Sequence, residues 1–121
     1  MPRIALSMIV KNAERTLHDC LESVRGVADE IAIADTGSTD STIEIARSHD
    51  ASVIHIPWEN DFAAARNRAL EAVQADWALV LDADEVLDPA AKNVIPSLVS
   101  AENIAGYMVS IRNYFRSLDD R

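Results

Sequence analysis

The chain has 121 residues, of which 49% are hydrophobic and 26% are charged, a composition typical of a globular domain with one modest core. Its formal net charge is −9 and its 11 Lys and Arg residues are scattered, which argues against nucleic acid as a partner. No apolar run reaches the roughly 18 to 20 residues that cross a bilayer, and the single cysteine, Cys20, excludes an intrachain disulfide and favours a reducing, cytoplasmic location.

The first half of the chain alternates short apolar runs with segments of helical periodicity. The β-branched run Ile4–Val10 predicts a first strand, and apolar residues three and four apart predict a helix over residues 13–24. A second strand is predicted at residues 30–34, a second helix at Thr42–Ser48 and a third strand at residues 51–56.

The second half continues this alternation. Residues 62–75 predict a helix rich in Ala, Leu and Arg, and Pro89–Val99 predicts another with proline in its first turn. Residues 77–81 are apolar throughout, which favours a central strand, and residues 105–112 predict a further strand. The order predicts an α/β fold with a doubly wound, mostly parallel sheet flanked by helices, and such sheets bind ligands beyond the carboxyl ends of their strands.

Asp82, Ala83 and Asp84 directly follow the apolar strand predicted at residues 77–81. In an extended segment residues i and i+2 point the same way, so the two carboxylates can converge on one spot. Carboxylate oxygens suit Mg²⁺ or Mn²⁺, and a metal held there would neutralise a diphosphate leaving group. The alternative is that these residues only end the strand and start a helix, with Glu85 either supporting the site or solvated.

Asp35 begins a polar segment, residues 35–40, that connects a predicted strand to a predicted helix. Gly37 allows a tight turn with positive φ, and Ser38 or Thr39 can cap the helix. The Asp35 carboxylate can accept a hydrogen bond from the edge of a base such as uracil. A strand–turn–helix connection without any ligand has the same pattern, so both interpretations stay open.

Arg66 lies on the apolar face of the helix predicted at residues 62–75, whereas Arg68 lies on its outer face. An inward arginine beside carboxylates either contacts an anionic ligand or braces an acidic side chain. The sequence leaves these two roles of Arg66 open.

The remaining candidate residues favour no other chemistry. His18, His49 and His55 lack the H-x-x-x-H spacing of a metal site, so the first two are predicted on helix surfaces and His55 in core or rim packing. The chain has no G-x-G-x-x-G motif and no P-loop, which argues against dinucleotide oxidoreductases and P-loop NTPases. A nucleotidyltransferase would need a Gly-rich loop after the first strand, and residues 11–14 contain no glycine.

Four segments in the expected order resemble the family 2 inverting glycosyltransferases of the GT-A fold: residues 7–14, 35–42, 61–69 and 81–85. The resemblance implies a site for a nucleoside diphosphate sugar, most often a UDP-sugar, in which Asp35 reads the uracil and Asp84 is the metal ligand. Thr36 departs from the commoner acidic residue after Asp35. The other nucleotide-sugar-binding residues that the resemblance implies are Ser7, Ile9, Lys11, Asn12, Gly37, Arg66, Asp82 and Ala83.

The resemblance also implies an activity. A divalent metal, Mn²⁺ or Mg²⁺, would assist transfer of the sugar, with inversion, to a hydroxyl of an acceptor saccharide, lipid-linked glycan or peptide. Residues 58–67 look most like bacterial members that modify lipopolysaccharide cores or peptides. This implies synthesis of bacterial cell-surface polysaccharide in the cytoplasm, with the inner face of the membrane as the alternative location.

Family members are usually longer than this chain, and their second half supplies the acceptor contacts and the general base. We therefore expect residues 1–121 to be a nucleotide-sugar-binding domain, truncated relative to the family, with the general base outside it. Asp88, Asp119 and Asp120 are candidates for that base by residue type only. We also expect self-association into a homo-oligomer. The alternative function is a non-catalytic module that binds a nucleotide sugar.

Overall fold

The computed structural model describes residues 3–58 and 60–99, which form a parallel sheet with helices packed on both faces. The predicted α/β fold with a doubly wound parallel sheet is confirmed. The strand predicted at residues 105–112 lies outside the described residues. The strands are β1 (Ile4–Val10), β2 (Glu30–Asp35), β3 (Ser52–His55) and β4 (Trp77–Val80), and the helices are α1 (Leu17–Ser23), α2 (Thr42–Ser48), α3 (Phe62–Glu71) and α4 (Pro89–Val99).

The strands are ordered β3-β2-β1-β4, and their register brings the loops that follow them together. Val10 pairs with Asp35, and Asp35 pairs with His55, so β1, β2 and β3 end level with one another. Val80, the last residue of β4, pairs with Ser7 inside β1. The chain that leaves β4 therefore runs alongside the carboxyl end of β1, where parallel α/β sheets bind their ligands.

Strand β1 is buried on both of its faces. Leu6 and Met8 are fully buried in a core that also contains Leu17 and Cys20 of α1 and Ala46 of α2. The opposite face carries a smaller cluster in which Ile9 of β1 packs against Ala34, Ile56 and Ala69. Each buried side chain of this size contributes about 1.5 to 3 kcal/mol, so β1 is the element around which the sheet is built.

Helix α1 starts at Leu17, later than the residue 13 predicted from its periodicity. The Ala13 N–H donates to Thr42 Oγ1 at 2.8 Å, and the Glu14 N–H donates to Asp40 Oδ2 at 3.3 Å. Residues 13–16 form a turn that precedes the helix, and these two hydrogen bonds tie that turn to the segment before α2. Apolar spacing alone carries no signal of such a long-range bond.

Strand β4 lies at the edge of the sheet in the described part of the chain, not at its centre as predicted. Ala78 and Val80 are exposed, whereas Trp77 and Leu79 are partly buried against the core. The uniform apolarity of this run indicates two apolar faces. Pairing between residues distant in sequence decides which strands flank this run, and sequence periodicity does not encode that pairing.

The helices are short. Helix α3 ends at Glu71, before the predicted residue 75, and the Ala72 and Val73 N–H groups donate to the carbonyls of Ala69 and Leu70 in a tightened final turn. Within residues 3–58 and 60–99, no helix combines the length and the apolar character needed to cross a membrane.

Candidate functional site

A cavity of about 380 Å³ opens at the carboxyl edge of the sheet, beside the end of β1. It is lined by the end of β1 with the loop that follows it, by Phe62 of α3 and by the segment that follows β4. The lining residues are Ile9, Val10, Lys11, Asn12, Ala13, Thr16, Phe62, Asp82, Ala83 and Asp84. The structure thus brings together six of the predicted site residues: Ile9, Lys11, Asn12, Asp82, Ala83 and Asp84.

Residues 82–85, which we call the acidic loop, form a turn and not the extended segment that the sequence argument assumed. The Glu85 N–H donates to the Asp82 carbonyl at 2.9 Å, and the Asp82 N–H donates to Glu85 Oε1 at 2.7 Å. The extended conformation expected for these residues is therefore wrong, because the strand ends at Val80. Both carboxylates nevertheless line one cavity, and Glu85 is the residue that holds the turn.

The two carboxylates of the acidic loop differ in their partners. Asp82 is 62% exposed, and its Oδ1 lies 3.8 Å from Nη2 of Arg66. Asp84 is exposed and forms no hydrogen bond or ion pair within the described residues. Exposed carboxylate oxygens with free lone pairs, at the wall of an open cavity, are the donor set that Mg²⁺ and Mn²⁺ prefer. The acidic loop therefore fits a divalent metal.

Helix α1 supports the acidic loop from the core. Cys20 Sγ lies 3.7 Å from the Asp82 carbonyl oxygen, and Ser23 Oγ accepts a hydrogen bond from the Leu87 N–H at 2.9 Å. Burial, reinforced by the charges of Glu85, Asp84 and Asp82, raises the pKa of the Cys20 thiol to about 12. The thiol therefore stays protonated and unreactive, and it serves as a packing and donor group.

Asp35 ends β2 and is almost completely buried, with 1% of its surface exposed. Its Oδ2 accepts hydrogen bonds from the Gly37 N–H at 3.0 Å and the Ser38 N–H at 2.9 Å. Gly37 has φ of 123°, a conformation that residues with a Cβ rarely adopt, and this lets its N–H turn back onto Asp35. Oδ1 is buried and has no hydrogen-bond partner among the described residues.

Burial raises the pKa of Asp35, but hydrogen bonds from Ser38 and Gly37 and the nearby His55 outweigh it and hold this pKa below its ordinary value. His55 Nδ1 lies 3.8 Å from Asp35 Oδ2, and its ring is 67% exposed. His55 therefore stands at the rim of the site and is not a core residue. Asp35 is a carboxylate at neutral pH with one free acceptor atom.

The loop after β1 is bonded directly to the loop after β2. The Asn12 N–H donates to Ser38 Oγ at 2.9 Å, and the Thr39 N–H donates to Asn12 Oδ1 at 2.8 Å. Ser38 and Thr39 therefore do not cap α2 as predicted. The N-cap residue is Ser41, whose side chain makes no capping bond, and the preceding Asp40 accepts a hydrogen bond from the Thr42 N–H at its Oδ1 at 2.9 Å. Asn12 is thereby fixed with φ of 50°, a value that asparagine tolerates better than most residues.

Arg66 points inward from α3, whereas Arg68 is exposed, and both placements agree with the sequence. The Arg66 side chain is 19% exposed and its guanidinium carbon lies 5.4 Å from the centre of the Phe62 ring. Its Nη1 is buried and has no hydrogen-bond partner among the described residues. The contact with Asp82 at 3.8 Å uses Nη2, so Nη1 is available to donate a hydrogen bond to a ligand.

Four predicted site residues lie outside the lining of the cavity: Ser7, Asp35, Gly37 and Arg66. Ser7 is completely buried within β1, so its side chain does not reach the cavity surface. Conversely, sequence reasoning missed the contributions of Val10, Ala13 and Thr16. Ala13 and Thr16 were assigned to a helix, and only their turn conformation turns them toward the site.

Comparisons with known proteins identify the family of the chain. The family model of glycosyl transferase family 2 matches residues 6–121. A TPR repeat-containing protein of Synechococcus elongatus is 47% identical over 87 residues, which covers 72% of this chain and 22% of that protein. The lipopolysaccharide core biosynthesis glycosyltransferase LpsC of Rhizobium meliloti is 37% identical over 122 residues, which covers 94% of this chain and 44% of that protein. The chain spans less than half the length of these relatives.

Among solved structures, glucosyl-3-phosphoglycerate synthase from Mycobacterium tuberculosis, in complex with Mg²⁺ and uridine diphosphate, superposes with a TM-score of 0.63. The two sequences are 26% identical, and the match covers 82% of this chain and 38% of that one. The prediction of a glycosyltransferase is confirmed at the level of the family. On this evidence the chain belongs to glycosyl transferase family 2 and has the GT-A fold.

Proposed function

We propose that this chain forms the donor-binding part of a metal-dependent, inverting glycosyltransferase that uses a nucleoside diphosphate sugar. The observation that carries the proposal is the cavity lined both by the end of β1, with Lys11 and Asn12, and by the acidic loop, with Asp82 and Asp84. A lysine and carboxylates in one cavity suit a diphosphate, since the carboxylates would hold a divalent metal and the lysine is a second cation.

The base of the nucleotide is assigned to Asp35. Its Oδ1 is a buried acceptor without a partner among the described residues, and a buried polar atom in this state needs a donor. The N3–H of uracil supplies one donor at the edge of the ring. Because the pKa of Asp35 is lowered, the residue accepts and does not donate at neutral pH, which supports uracil and therefore a UDP-sugar.

The metal, Mn²⁺ or Mg²⁺, is assigned to Asp84, with Asp82 as a contact for the ribose or the sugar. Such a metal stabilises the diphosphate as a leaving group. The mycobacterial relative that was solved with Mg²⁺ and uridine diphosphate supports the same pair of ligands here. Ile9, Gly37 and Ala83 contribute the adjoining backbone and apolar wall.

Arg66 is assigned to both of the roles that the sequence left open, the bracing of an acidic side chain and contact with an anionic ligand. Its Nη2 lies near the Asp82 carboxylate and positions it, while Nη1 is a buried donor without a partner among the described residues. A donor-sugar oxygen or a phosphate oxygen would satisfy Nη1. The Phe62 ring beneath the guanidinium limits the movement of Arg66.

In the reaction that we propose, an acceptor hydroxyl attacks the anomeric carbon on the side opposite the diphosphate. The new C–O bond forms as the bond to the diphosphate oxygen breaks, so the configuration inverts, and a general base takes the hydroxyl proton. That base lies outside the described residues in this proposal. The acceptor is a saccharide, lipid-linked glycan or peptide, and the name of the LpsC relative supports the first two.

The domain assignment to residues 1–121, a homo-oligomeric state and a location in the cytoplasm or at the inner face of the membrane remain predictions. The fold and the exposed edge residues of β4, including Val80 at 40% exposure, are compatible with further protein packed against this side of the sheet.

The metal assignment is tested by calorimetric titration of UDP with and without Mn²⁺. We expect Mn²⁺ to tighten UDP binding about 10-fold or more, and we expect Asp84→Ala to lose this gain while keeping the weaker metal-free binding. Glu44→Gln, an exposed carboxylate change on α2, is the matched control and keeps the gain. If Asp84→Ala retains metal-dependent binding, the assignment of Asp84 is wrong.

A further inference from the structure

Three metal-ligating side chains meet on the helices α1 and α2, away from the residues that line the cavity. His18 and Glu22 stand four residues apart on α1 and therefore share one face of the helix. His49 is the C-cap residue of α2. One ligand atom from each of the three lies within 4.8 Å of the other two. The pairing comes from two helices, which explains why no H-x-x-x-H spacing marks it in the sequence.

The hydrogen bonds of His49 fix which ring nitrogen faces Glu22. Ser48 Oγ donates to the Ile45 carbonyl at 2.7 Å, so its proton is not available to the ring. His49 Nδ1 lies 3.0 Å from the same Ile45 carbonyl, a contact that requires a proton on Nδ1. A histidine whose Nδ1–H is held by a backbone carbonyl presents Nε2 as its ligand atom, as metal-bound histidines do.

His49 Nε2 lies 2.9 Å from Glu22 Oε2. Nε2 and Oε2 are both ligand atoms, so a metal ion that binds one of them is within reach of the other. The His49 side chain is 7% exposed, so bulk water contributes little there. The exposed His18 ring, with its centroid 5.1 Å from that of His49, supplies the third ligand from the solvent side.

We propose that His18, Glu22 and His49 form a zinc site that clamps α1 to α2. Two imidazoles and one carboxylate, with a fourth position left for water, are a ligand set that Zn²⁺ favours, whereas Mg²⁺ prefers oxygen ligands alone. Tetrahedral zinc holds its nitrogen and oxygen ligands about 3.3 Å apart. Zinc binding therefore requires the distance between His49 Nε2 and Glu22 Oε2 to lengthen slightly. It also requires the exposed His18 ring to move toward these two atoms.

The site has a structural role, since α1 also supports the acidic loop through Cys20 and Ser23. Arg25 competes with the metal, because its Nε donates to Glu22 Oε2 at 3.1 Å. Arg25 is 71% exposed and can leave Glu22 without loss of packing. The zinc site uses none of the residues assigned to the donor site, so each proposal can be tested independently of the other.

The test is equilibrium dialysis of the full chain against Zn²⁺ alone, in an Asp84→Asn background that removes the carboxylate assigned to the other metal. We expect one Zn²⁺ per chain, affinity at least about 10-fold weaker after His18→Ala or Glu22→Gln, and no loss after Arg25→Gln. Because His18 is exposed, His18→Ala keeps the fold, which circular dichroism verifies.

Cobalt substitution provides a second readout. Co²⁺ in a four-coordinate site absorbs visible light far more strongly than Co²⁺ in a six-coordinate oxygen site, and we expect the strong spectrum in the parent and its loss in His18→Ala. Zinc affinity that is unchanged in both His18→Ala and Glu22→Gln would overturn the proposal. So would zinc binding that is lost equally in Arg25→Gln.

Discussion

Asp35 shows how a single residue joins the fold to the candidate site. Its Oδ2 closes the turn at Gly37 and Ser38, which the fold requires, while its Oδ1 is left as an acceptor for a ligand. The two oxygens of the Asp35 carboxylate thus have separate roles, one in the fold and one in the candidate site. Substitution of Asp35 is therefore expected to change both stability and nucleotide binding.

We expect Asp35→Asn to lower the free energy of unfolding at pH 7 by about 1 to 3 kcal/mol, because the amide oxygen accepts the two N–H groups without a charge and the amide NH2 becomes a buried donor without a partner in place of Oδ1. The native pKa of Asp35 is lowered, so its contribution is complete above its ordinary pKa and is lost as the pH falls through the native pKa. The difference between variant and parent should therefore shrink below about pH 4.

Urea unfolding at pH 7 and at pH 3.5 measures this difference. Asp50→Asn makes the same chemical change at an exposed residue with φ of 60°, a conformation that asparagine accepts, and it should be close to neutral at both pH values. A loss for Asp35→Asn that stays constant with pH would contradict the lowered pKa.

At the residue scale, the sequence identified the chemical groups but not their geometry. The Asp82–Asp84 pair and Asp35 stand out because carboxylates at strand ends are recognisable from type and position. The turn held by Glu85 and the free Oδ1 of Asp35 depend on where individual hydrogen bonds go. Such bonds select one oxygen of a carboxylate over the other, and no periodic pattern in the sequence records that choice.

At the scale of elements, the connection between β1 and α1 is organised by the segment that precedes α2. Thr42 is fully buried, and its hydroxyl accepts the Ala13 N–H while it donates to Asp40 Oδ1. The loop that carries Lys11 and Asn12 into the cavity is therefore held in place by a residue of another helix.

Thr42→Val keeps the shape of the side chain and removes both hydrogen bonds. We expect it to lower the free energy of unfolding by about 1 to 3 kcal/mol, since the Ala13 N–H loses its partner. Thr39→Val is the matched control, because Thr39 is exposed and its hydroxyl has only a 3.4 Å contact with Asn12. Denaturant titration of both variants measures the effect, and equal losses at the two positions would refute this role of Thr42.

Element types were predictable because apolar periodicity is strong in this chain, and Ile4–Val10, Thr42–Ser48 and Pro89–Val99 agree with their predicted bounds. The start of α1 at Leu17 was not predictable, because apolar spacing does not distinguish the turn at residues 13–16 from the helix that follows it. The position of β4 at the edge of the strands within residues 3–99 was not predictable either, since a run of apolar residues does not reveal its neighbours.

On the scale of the whole molecule, two groups of the residues that line the cavity come from opposite ends of the described chain. Lys11 and Asn12 follow the first strand, whereas Asp82 and Asp84 follow the fourth. A ligand that contacts both groups binds only the folded state. Its binding energy is therefore added to the stability of the sheet as a whole.

We expect UDP and Mn²⁺ together to raise the melting temperature more than the sum of their separate effects. At a UDP concentration about 100 times Kd, the stabilisation is about 2.7 kcal/mol. Thermal melts with UDP, with Mn²⁺ and with both measure it, and UDP with EDTA is the control. An equal melting temperature with UDP in Mn²⁺ and in EDTA would contradict a shared site.

Strand β1 pairs with two strands that leave the ribosome at very different times. Ala5 pairs with Glu30, whereas Ile4 pairs with Trp77, and the longer loop is entropically more costly to close. The unit of β1, β2 and α1 can therefore assemble early, and β4 adds late. Asp82 and Asp84 reach the cavity only at that late step. Until β4 adds, one edge of β1 has unpaired backbone groups with which a strand of another chain can pair.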